Sequence, residues 1–545
     1  MTQPPQHPFH RIAVSFSGGG YRAASFHLGT LSYLNRLSWD GTPLLHQVRM
    51  ISTVSGGTIP GVIYTLLKQE DKPFEEIYDF ILSNLRELDL LKLSFIKLSS
   101  EGRWDTETKR RNIINAFAEI YDEHFTRGKT LNEFRHLDSH LEAVVFNSTE
   151  FDNGLNFRFR SKGKMNGSAR IKVPFEVAAE IKLSDVLASS SCFPGGFEPM
   201  LWPNDFLHKD ADRLARHAAG RQTVGLMDGG IYDNQGIESI LKYNHSKDNP
   251  YFDLVIVSDV SSPNMTRFES GKMKQHGWSG ITYGQLTLYS KYFNRVLAVV
   301  SAGLLALPFF WSYSDSFFTG FCMGLGLMIS VVLFAKIFLL SKLKKLISSQ
   351  FQKLIGSNFN FYKSKIGPLK ITNVPFGTLA LLARDRITSL SILMQEVFLK
   401  VVRRLNYNKL YEDDRYHFRR ITTLIRGLTE DDFTKYKSSI GKDDTVSYDS
   451  FVGPKIADTV KAASGFGTTL WFTETENMND VLHKLVATGQ LTLCFNMIIY
   501  LNRWLNDQEG HFDRLSAIEQ NRIRSLHQQC MEDWTRFRND PLWMV

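Results

Sequence analysis

The stretch Ile51-Ser52-Thr53-Val54-Ser55-Gly56-Gly57-Thr58 is a β-branched run that ends on a serine and breaks at once into two glycines. A strand that stops there and turns sharply into a helix leaves Ser55 Oγ exposed at the turn, and small neighbours such as Gly57 let strand and helix approach closely. That is how a nucleophile elbow reads. Upstream, Ile12-Ala13-Val14-Ser15-Phe16 reads as a buried strand, followed by Ser17-Gly18-Gly19-Gly20-Tyr21-Arg22 and an apolar, helix-like segment to Leu34. Three glycines at a helix start leave backbone N–H groups unobstructed at the positive end of the helix dipole, which suits a phosphate or an oxyanion. A third stretch, Leu226-Met227-Asp228-Gly229-Gly230, sets an acid between an apolar run and two glycines. Each alone has an ordinary reading as a turn after a strand. Together they supply a nucleophile, an acid to take its proton and a cradle for negative charge.

Taken in chain order, Gly18-Gly19-Gly20-x-Arg22, Ser55-x-Gly57 and Asp228-Gly229-Gly230 resemble the patatin-like phospholipase family, including its cytosolic phospholipase A2 relatives. Two more stretches fit: Val144-Val145-Phe146-Asn147-Ser148-Thr149 with the turn Asp152-Asn153-Gly154, and Ala188-Ser189-Ser190-Ser191-Cys192-Phe193-Pro194 running to Phe197-Glu198-Pro199. The resemblance covers roughly residues 10–262. It implies a Ser-Asp dyad without histidine: Ser55 attacks a lipid ester carbonyl, Asp228 accepts the serine proton and later activates water, and amides of Gly18, Gly19 and Gly20 hold the oxyanion. Arg22 has two readings, a phosphate contact or a structural ion pair. The family's usual glycine two residues before the nucleophile is Thr53 here, and the acid that many members carry before the glycine triplet is Ser17. By chain order a triad using His27, His417, His483, His511 or His527 stays open, although none has a distinctive context. The chemistry asks for no metal and no cofactor.

These groups need a layered scaffold to meet. Apolar runs at residues 12–16, 50–54, 141–146 and 254–257 alternate with helical or polar stretches, the pattern of an α/β domain whose sheet is sandwiched by helices. Residues 74–98 and 103–125 have helical spacing and read as an ordinary helical layer or a cap over the site. With 545 residues, 43% hydrophobic and 22% charged, the chain is long enough for two or three structural units. A formal charge of +8 and a pI near 9.0 favour an anionic partner. The basic residues are scattered among acids without a nucleic-acid motif, so a lipid surface is expected and nucleic acid is not. Cys192, Cys322, Cys494 and Cys530 are widely spaced and form no metal or disulfide pattern, and the polar Met1-Thr2-Gln3-Pro4-Pro5 lacks the features of a secretory signal.

Composition changes sharply after the motifs. Residues 296–311 and 317–335 carry no charge and are separated by Ser312-Tyr313-Ser314-Asp315-Ser316. At about 1.5 Å per residue the second run reaches about 28 Å, near the ~30 Å hydrocarbon thickness, and the first about 24 Å. Trp311 and Tyr313 sit where an interfacial belt would lie, and Lys291, Arg295, Lys336, Lys342, Lys344 and Lys345 flank the outer ends, so both ends are expected on the cytoplasmic side. Residues 343–355 read as basic and amphipathic, 387–405 and 481–505 as long helices, 411–442 as a solvated connection with Glu430-Asp431-Asp432, and 516–536 as a polar closing helix.

The expected organisation is a catalytic α/β region (1–290), a transmembrane helical hairpin (291–345) and a mostly helical C-terminal region packing on the catalytic domain (346–545). The expected function is a membrane-inserted lipid acyl hydrolase with its catalytic domain facing the cytoplasm, cleaving membrane phospholipid. The alternatives are a neutral-lipid or lysophospholipid esterase on the same scaffold and a catalytically silent membrane-tethered scaffold. Oligomeric state has no signature in the sequence.

Overall fold

The structure is a computed structural model that describes residues 5, 7–99, 104, 109–245, 251–261, 267–272, 280–310, 316–355, 373–430, 433 and 448–545. Two compact units emerge: residues Met1–Met265 with Glu396–Val545, and residues Thr266–Gln395. The boundaries expected at 290/291 and 345/346 both fall inside the second unit.

The first unit is built on one mixed sheet. Its strands are β1 (Ile12–Phe16), β4 (Val48–Val54), β5 (Ala143–Glu150), β6 (Leu155–Arg160), β7 (Met165–Gly167), β8 (Lys172–Pro174), β9 (Met200–Trp202), β10 (Val224–Asp228), β11 (Leu254–Asp259) and β12 (Arg420–Leu424), while β2 (Ser38–Trp39) and β3 (Thr42–Pro43) form a separate ribbon. Strands β12, β11, β1, β4 and β5 lie side by side and parallel. β1, β5 and β11 are buried throughout, as expected of strands covered by helices on both faces. Beyond β5 the sheet turns antiparallel, with β6, β7 and β8 following, while β10 pairs with the second half of β5 and carries β9.

Register decides where the motifs meet. Phe16 lies opposite Thr53, Val54 opposite Asn147, and Asp228 opposite Ser148, the next residue along β5. The ends of β1, β4 and β10 therefore converge at the carboxyl edge of the parallel strands, where α/β sheets bind ligands.

Residues 411–442 are not a simple solvated connection. Arg420–Leu424 forms β12 on the edge of the sheet, with Ile421 and Thr423 buried, because its period-two alternation fits a strand with one covered face. Asp431 and Asp432 lie outside the described residues. Residues 74–98 divide into helices Phe74–Glu87 and Leu90–Leu98, the second capped by Asp89 accepting from the Lys92 amide at 2.9 Å. Within 103–125, helix Ile113–Tyr121 runs into a π-helical turn at Asp122–Thr126, and 103 and 105–108 are outside the described residues. Residues 387–405 fall in two helices, Phe376–Ile392 and Leu399–Tyr411, joined by a π-helical turn at Leu393–Phe398.

Helix Val481–Leu505 packs on α1 (Gly20–Arg36). The two backbones touch where Gly29 meets Gly489: a Cβ on either would stand 2.0 Å from a carbonyl oxygen of the other helix. Helix Ala517–Asn539 packs behind it.

The second unit contains helices Tyr283–Phe310 and Ser316–Ile355. Gly284–Phe310 and Phe317–Lys342 are long and apolar enough to cross a membrane, and their large side chains stand bare: Val299 is 72% exposed, Phe309 81% and Phe334 74%. Val481–Leu505 meets the same criterion of length and composition but is buried in the first unit's core. The paired helices touch through small residues, Ser301 Oγ donating to Gly326 O at 2.7 Å and bonding Ser330 Oγ at 2.7 Å. Lys336 Nζ reaches back to Asn294 Oδ1 at 3.1 Å. Trp311 and Tyr313 lie outside the described residues.

Candidate active site

β4 ends at Val54 in extended backbone, and Ser55 then takes φ +52°, a left-handed conformation that costs a residue with a Cβ roughly 1–2 kcal/mol. A short 3-10 turn, Ser55–Gly57, leads into α2 (Thr58–Gln69). A chain of hydroxyls holds this bend. The Ser55 amide donates to Ser190 Oγ at 2.9 Å, and Ser190 spends its own proton on Asn147 O at 2.7 Å. Thr58 therefore donates to Ser190, at 2.9 Å, and Thr53 Oγ1 donates to Thr58 Oγ1 at 3.0 Å. Asn147 closes the set, its Nδ2 donating to Thr53 O at 2.9 Å and to Ser52 Oγ at 3.1 Å.

Asp228 ends β10, 4% exposed, its carboxylate accepts from the Gly230 amide at 2.7 Å, and the Ser55 hydroxyl is near enough to favour its ionised form. Its backbone is pinned on both sides, the amide donating to Cys192 O and the carbonyl accepting from Thr149 Oγ1, each at 2.9 Å. Burial pushes the carboxyl up to about 6, against the lowering effect of the Ser55 and Gly230 hydrogen bonds. A carboxylate poised there still ionises at neutral pH and is a better proton acceptor than an exposed one.

The glycine loop lies beside the elbow: a Cβ on Gly18 would stand 2.9 Å from Ser55 Cβ. Of the three amides expected at an oxyanion, that of Gly18 is already donated to Asn234 O at 3.0 Å. The amides of Gly19 and Gly20, with φ +150° and +59°, open α1 without an acceptor among the described residues. The next amide, Tyr21, donates to Thr469 O at 2.9 Å. Two unclaimed donors thus remain at the positive end of α1, next to the serine.

Arg22 is turned toward the C-terminal region, where its Nη1 donates to Phe466 O at 2.9 Å. Burial, and then the neighbouring Arg403, hold its guanidinium down to about 10, with Asp259 opposing them. Arg403 is itself paired with Asp259, Nη2 to Oδ1 at 3.1 Å. Neither Arg22 Nε nor Arg403 Nε has a hydrogen-bond partner among the described residues.

No histidine hydrogen-bonds Ser55 or Asp228 among the described residues. His27 is buried, bonded to Ser258 Oγ at 2.8 Å and Ser17 O at 2.9 Å, and burial holds it down to about 4. It props the glycine loop as a neutral ring. His483 pairs with Asp480 at 2.7 Å and His511 with Asp507 at 2.9 Å.

Residues 14–241 match the family model described as patatin-like phospholipase. The chain carries a patatin-like phospholipase domain. No curated protein matches the sequence. Among solved structures, human GIVD cytosolic phospholipase A2 is similar at 13% identity and TM-score 0.31, with 46% of each chain covered. The same enzyme in complex with a methyl gamma-linolenyl fluorophosphonate inhibitor and terbium chloride is similar at 15% identity and TM-score 0.26, covering 40% of this chain and 35% of that one. VipD from Legionella pneumophila is similar at 10% identity and TM-score 0.24, covering 97% of this chain and 92% of that one. The chain thus spans less than half the length of these phospholipase structures.

Both departures from the patatin-like motifs are accommodated. Thr53 is buried at the elbow, and the α2 residue that faces it is Gly61, where a Cβ would come within 2.4 Å of Thr53 Cγ2. The bulk gained at the strand position is offset by its absence from the helix. Ser17 Oγ accepts from the Val260 amide at 3.0 Å and holds the glycine loop to the end of β11. Gly57, Gly229 and Gly230 lie at contacts too close for a Cβ, against Ser17 O, Asn147 O and Asn234 Oδ1.

Residue type and spacing mark no role for Ser190, Asn147 or Asn234, although the first two fall in stretches that carry the resemblance. The segment at 466–469 had no sequence signal, and it bears on the loop directly. A Cβ on Gly20 would meet Thr468 O at 2.5 Å and Thr469 O at 2.6 Å. Gly20→Ala should therefore cost about 2 kcal/mol or more and expose residues 466–473, read by denaturant unfolding and limited proteolysis. Gly41→Ala, at φ +78° with nothing within 4 Å, is the control that carries the backbone cost alone.

Proposed function

We propose that the chain is a membrane-anchored lipid acyl hydrolase of the phospholipase A type, using Ser55 and Asp228 as a dyad. The observation that carries this reading is a buried Asp228 whose ionised form the Ser55 hydroxyl favours, with the elbow serine beside the glycine loop and its two amides without an acceptor among the described residues. In the first step Ser55 Oγ attacks the ester carbonyl while its proton passes to Asp228, and the amides of Gly19 and Gly20 take the charge that develops on the carbonyl oxygen. Collapse of the tetrahedral adduct breaks the ester C–O bond, and Asp228 returns the proton to the departing alcohol. Water then attacks the acyl-serine with Asp228 as base, releasing fatty acid and restoring Ser55. No metal or cofactor enters the scheme.

Arg22 follows the glycine loop by two residues and carries a charge that suits a lipid phosphate, and its Nε, without a partner among the described residues, supports that role alongside its hold on Phe466 O. The bare apolar faces of Gly284–Phe310 and Phe317–Lys342 support a membrane hairpin. Lys291, Arg295, Lys336, Lys342 and Lys345 beside the spans support an orientation with the outer ends, and the catalytic part of the chain, on the cytoplasmic side. An active site tethered at the bilayer meets lipid at high effective concentration.

The test is product analysis with the full chain reconstituted in phospholipid vesicles. Free fatty acid and lysophospholipid should appear together, and carbonate washing of expressing membranes should leave the protein in the pellet. Turnover confined to triacylglycerol or lysophospholipid would assign the alternative substrates, and a protein without esterase activity on any of them would be a tethered scaffold. Thr53, the residue that favours that last outcome, is matched by Gly61.

A further inference from the structure

Away from the elbow, the amino-terminal segment is tied to helix Ala517–Asn539. Phe9 is buried against Trp39 and Tyr500, with ring centroids 4.8 and 5.8 Å apart. On either side of it, His7 and His10 form a turn, the His10 amide donating to His7 O at 3.4 Å, and their rings stack at 4.7 Å. The two rings converge on one atom: His7 Nδ1 lies 3.4 Å and His10 Nε2 3.3 Å from Glu519 Oε1.

Glu519 is 3% exposed and is fixed by its surroundings. Its amide donates to the N-cap hydroxyl of Ser516 at 3.2 Å, and Arg522 Nη1 donates to Oε1 at 2.9 Å while Arg522 Nη2 holds Asp40 Oδ2 at 2.6 Å. The other carboxylate oxygen, Oε2, is buried with no hydrogen-bond partner among the described residues.

These distances fit a metal better than a proton. A charge-assisted hydrogen bond between nitrogen and carboxylate settles at about 2.7–2.9 Å. Zn–N bonds of about 2.0–2.1 Å and Zn–O bonds of about 2.0–2.2 Å at tetrahedral angles place ligand atoms about 3.3–3.5 Å apart. All three ligand atoms lie within 4.8 Å of one another, so a small turn of one imidazole completes the cluster. A cation shared by both carboxylate oxygens would also satisfy Oε2. We propose that His7, His10 and Glu519 bind a structural Zn2+ ion, with water as the fourth ligand, that staples the amino-terminal segment to the C-terminal helix. Two imidazoles and one carboxylate favour zinc over magnesium, which prefers an all-oxygen shell. Arg522 then acts as the outer group that orients the carboxylate, while Ser516 fixes the backbone that carries it.

The test uses the full chain in detergent, purified without a polyhistidine tag and stripped with chelator. Titrated with ZnCl2, the wild type should take up one ion per chain and melt several degrees higher, whereas MgCl2 should change neither. The double variant His7→Ala/His10→Ala and the single variant Glu519→Gln should each bind zinc at least tenfold more weakly and lose the rise in melting temperature. His7 and His10 are 57% and 42% exposed at the side chain, so the double variant should melt like the stripped wild type. A Co2+ substitute should show the visible absorption of four-coordinate cobalt. No retained zinc, or equal zinc binding and equal thermal shift in wild type and double variant, would overturn the site and leave a proton-mediated clasp or adventitious binding at other histidines.

Discussion

Replacing Ser55 by alanine should lower ester hydrolysis by at least about 10⁴-fold while the protein stays folded, because among the described residues Ser55 is the one hydroxyl that acts on the buried Asp228 carboxylate. A sharper version uses the strain at the elbow. Ser55 sits at φ +52°, where a Cβ costs roughly 1–2 kcal/mol and glycine sits freely. Ser55→Gly should therefore be as inactive as Ser55→Ala and yet more stable than it by about 1 kcal/mol, less the entropy that glycine adds to the unfolded chain. Denaturant unfolding of both variants, with turnover on a soluble short-chain ester and on phospholipid vesicles, checks both halves. Substitution of His417, His483, His511 or His527 should leave turnover within a few-fold. Residual hydrolysis above a few per cent in Ser55→Ala, or loss of activity in a folded histidine variant, would remove Ser55 and Asp228 as a self-sufficient pair.

The three glycine-bearing motifs were legible because each is local. A strand that ends in serine and glycine must bend within those residues, and three glycines before an apolar helix declare an open helix start wherever the chain goes next. What remained hidden is what the motifs touch. Thr53 departs from the family's usual glycine, and the Gly61 that makes room for it lies on the following helix, a contact that no spacing rule announces. Ser190 carries the elbow through one hydroxyl from a distant helix, and a serine in a run of serines has no mark of that role. β12 was hidden for another reason: an edge strand of five residues in a charged stretch has too short an alternation to stand out, and only the exposed edge of β11 gives it a partner. Composition also singled out apolar helices without telling their surroundings. Val481–Leu505 and Phe317–Lys342 both pass by length and hydropathy, but one is enclosed by α1 and helix Ala517–Asn539 while the other is bare.

Replacing Asp228 by asparagine should abolish turnover and raise stability at the same time, by an amount that depends on pH. Burial holds the native carboxyl at about 6, whereas an unfolded aspartate titrates near 3.9. Below about pH 4 both states carry the proton and the residue contributes nothing to the pH dependence. Between about 4 and 6 the native state keeps a proton that the unfolded state has released, so stability falls as the pH rises through this window. Above about 6 the native state holds a buried charge at its full cost, which for a difference of about two pH units is roughly 3 kcal/mol. Asparagine keeps an oxygen for the Gly230 amide and cannot ionise, so the variant escapes that cost. At pH 8 it should exceed the wild type by up to about 3 kcal/mol, and near pH 4 the two should converge. Wild-type kcat/KM should fall as the pH drops below about 6, since the protonated acid can no longer accept the serine proton. Urea unfolding of both proteins at pH 4.5 and 8, beside the wild-type rate profile, supplies the comparison. Equal stability differences at the two pH values would mean that Asp228 titrates like an exposed carboxylate, and the site would then lose the base that the dyad chemistry requires.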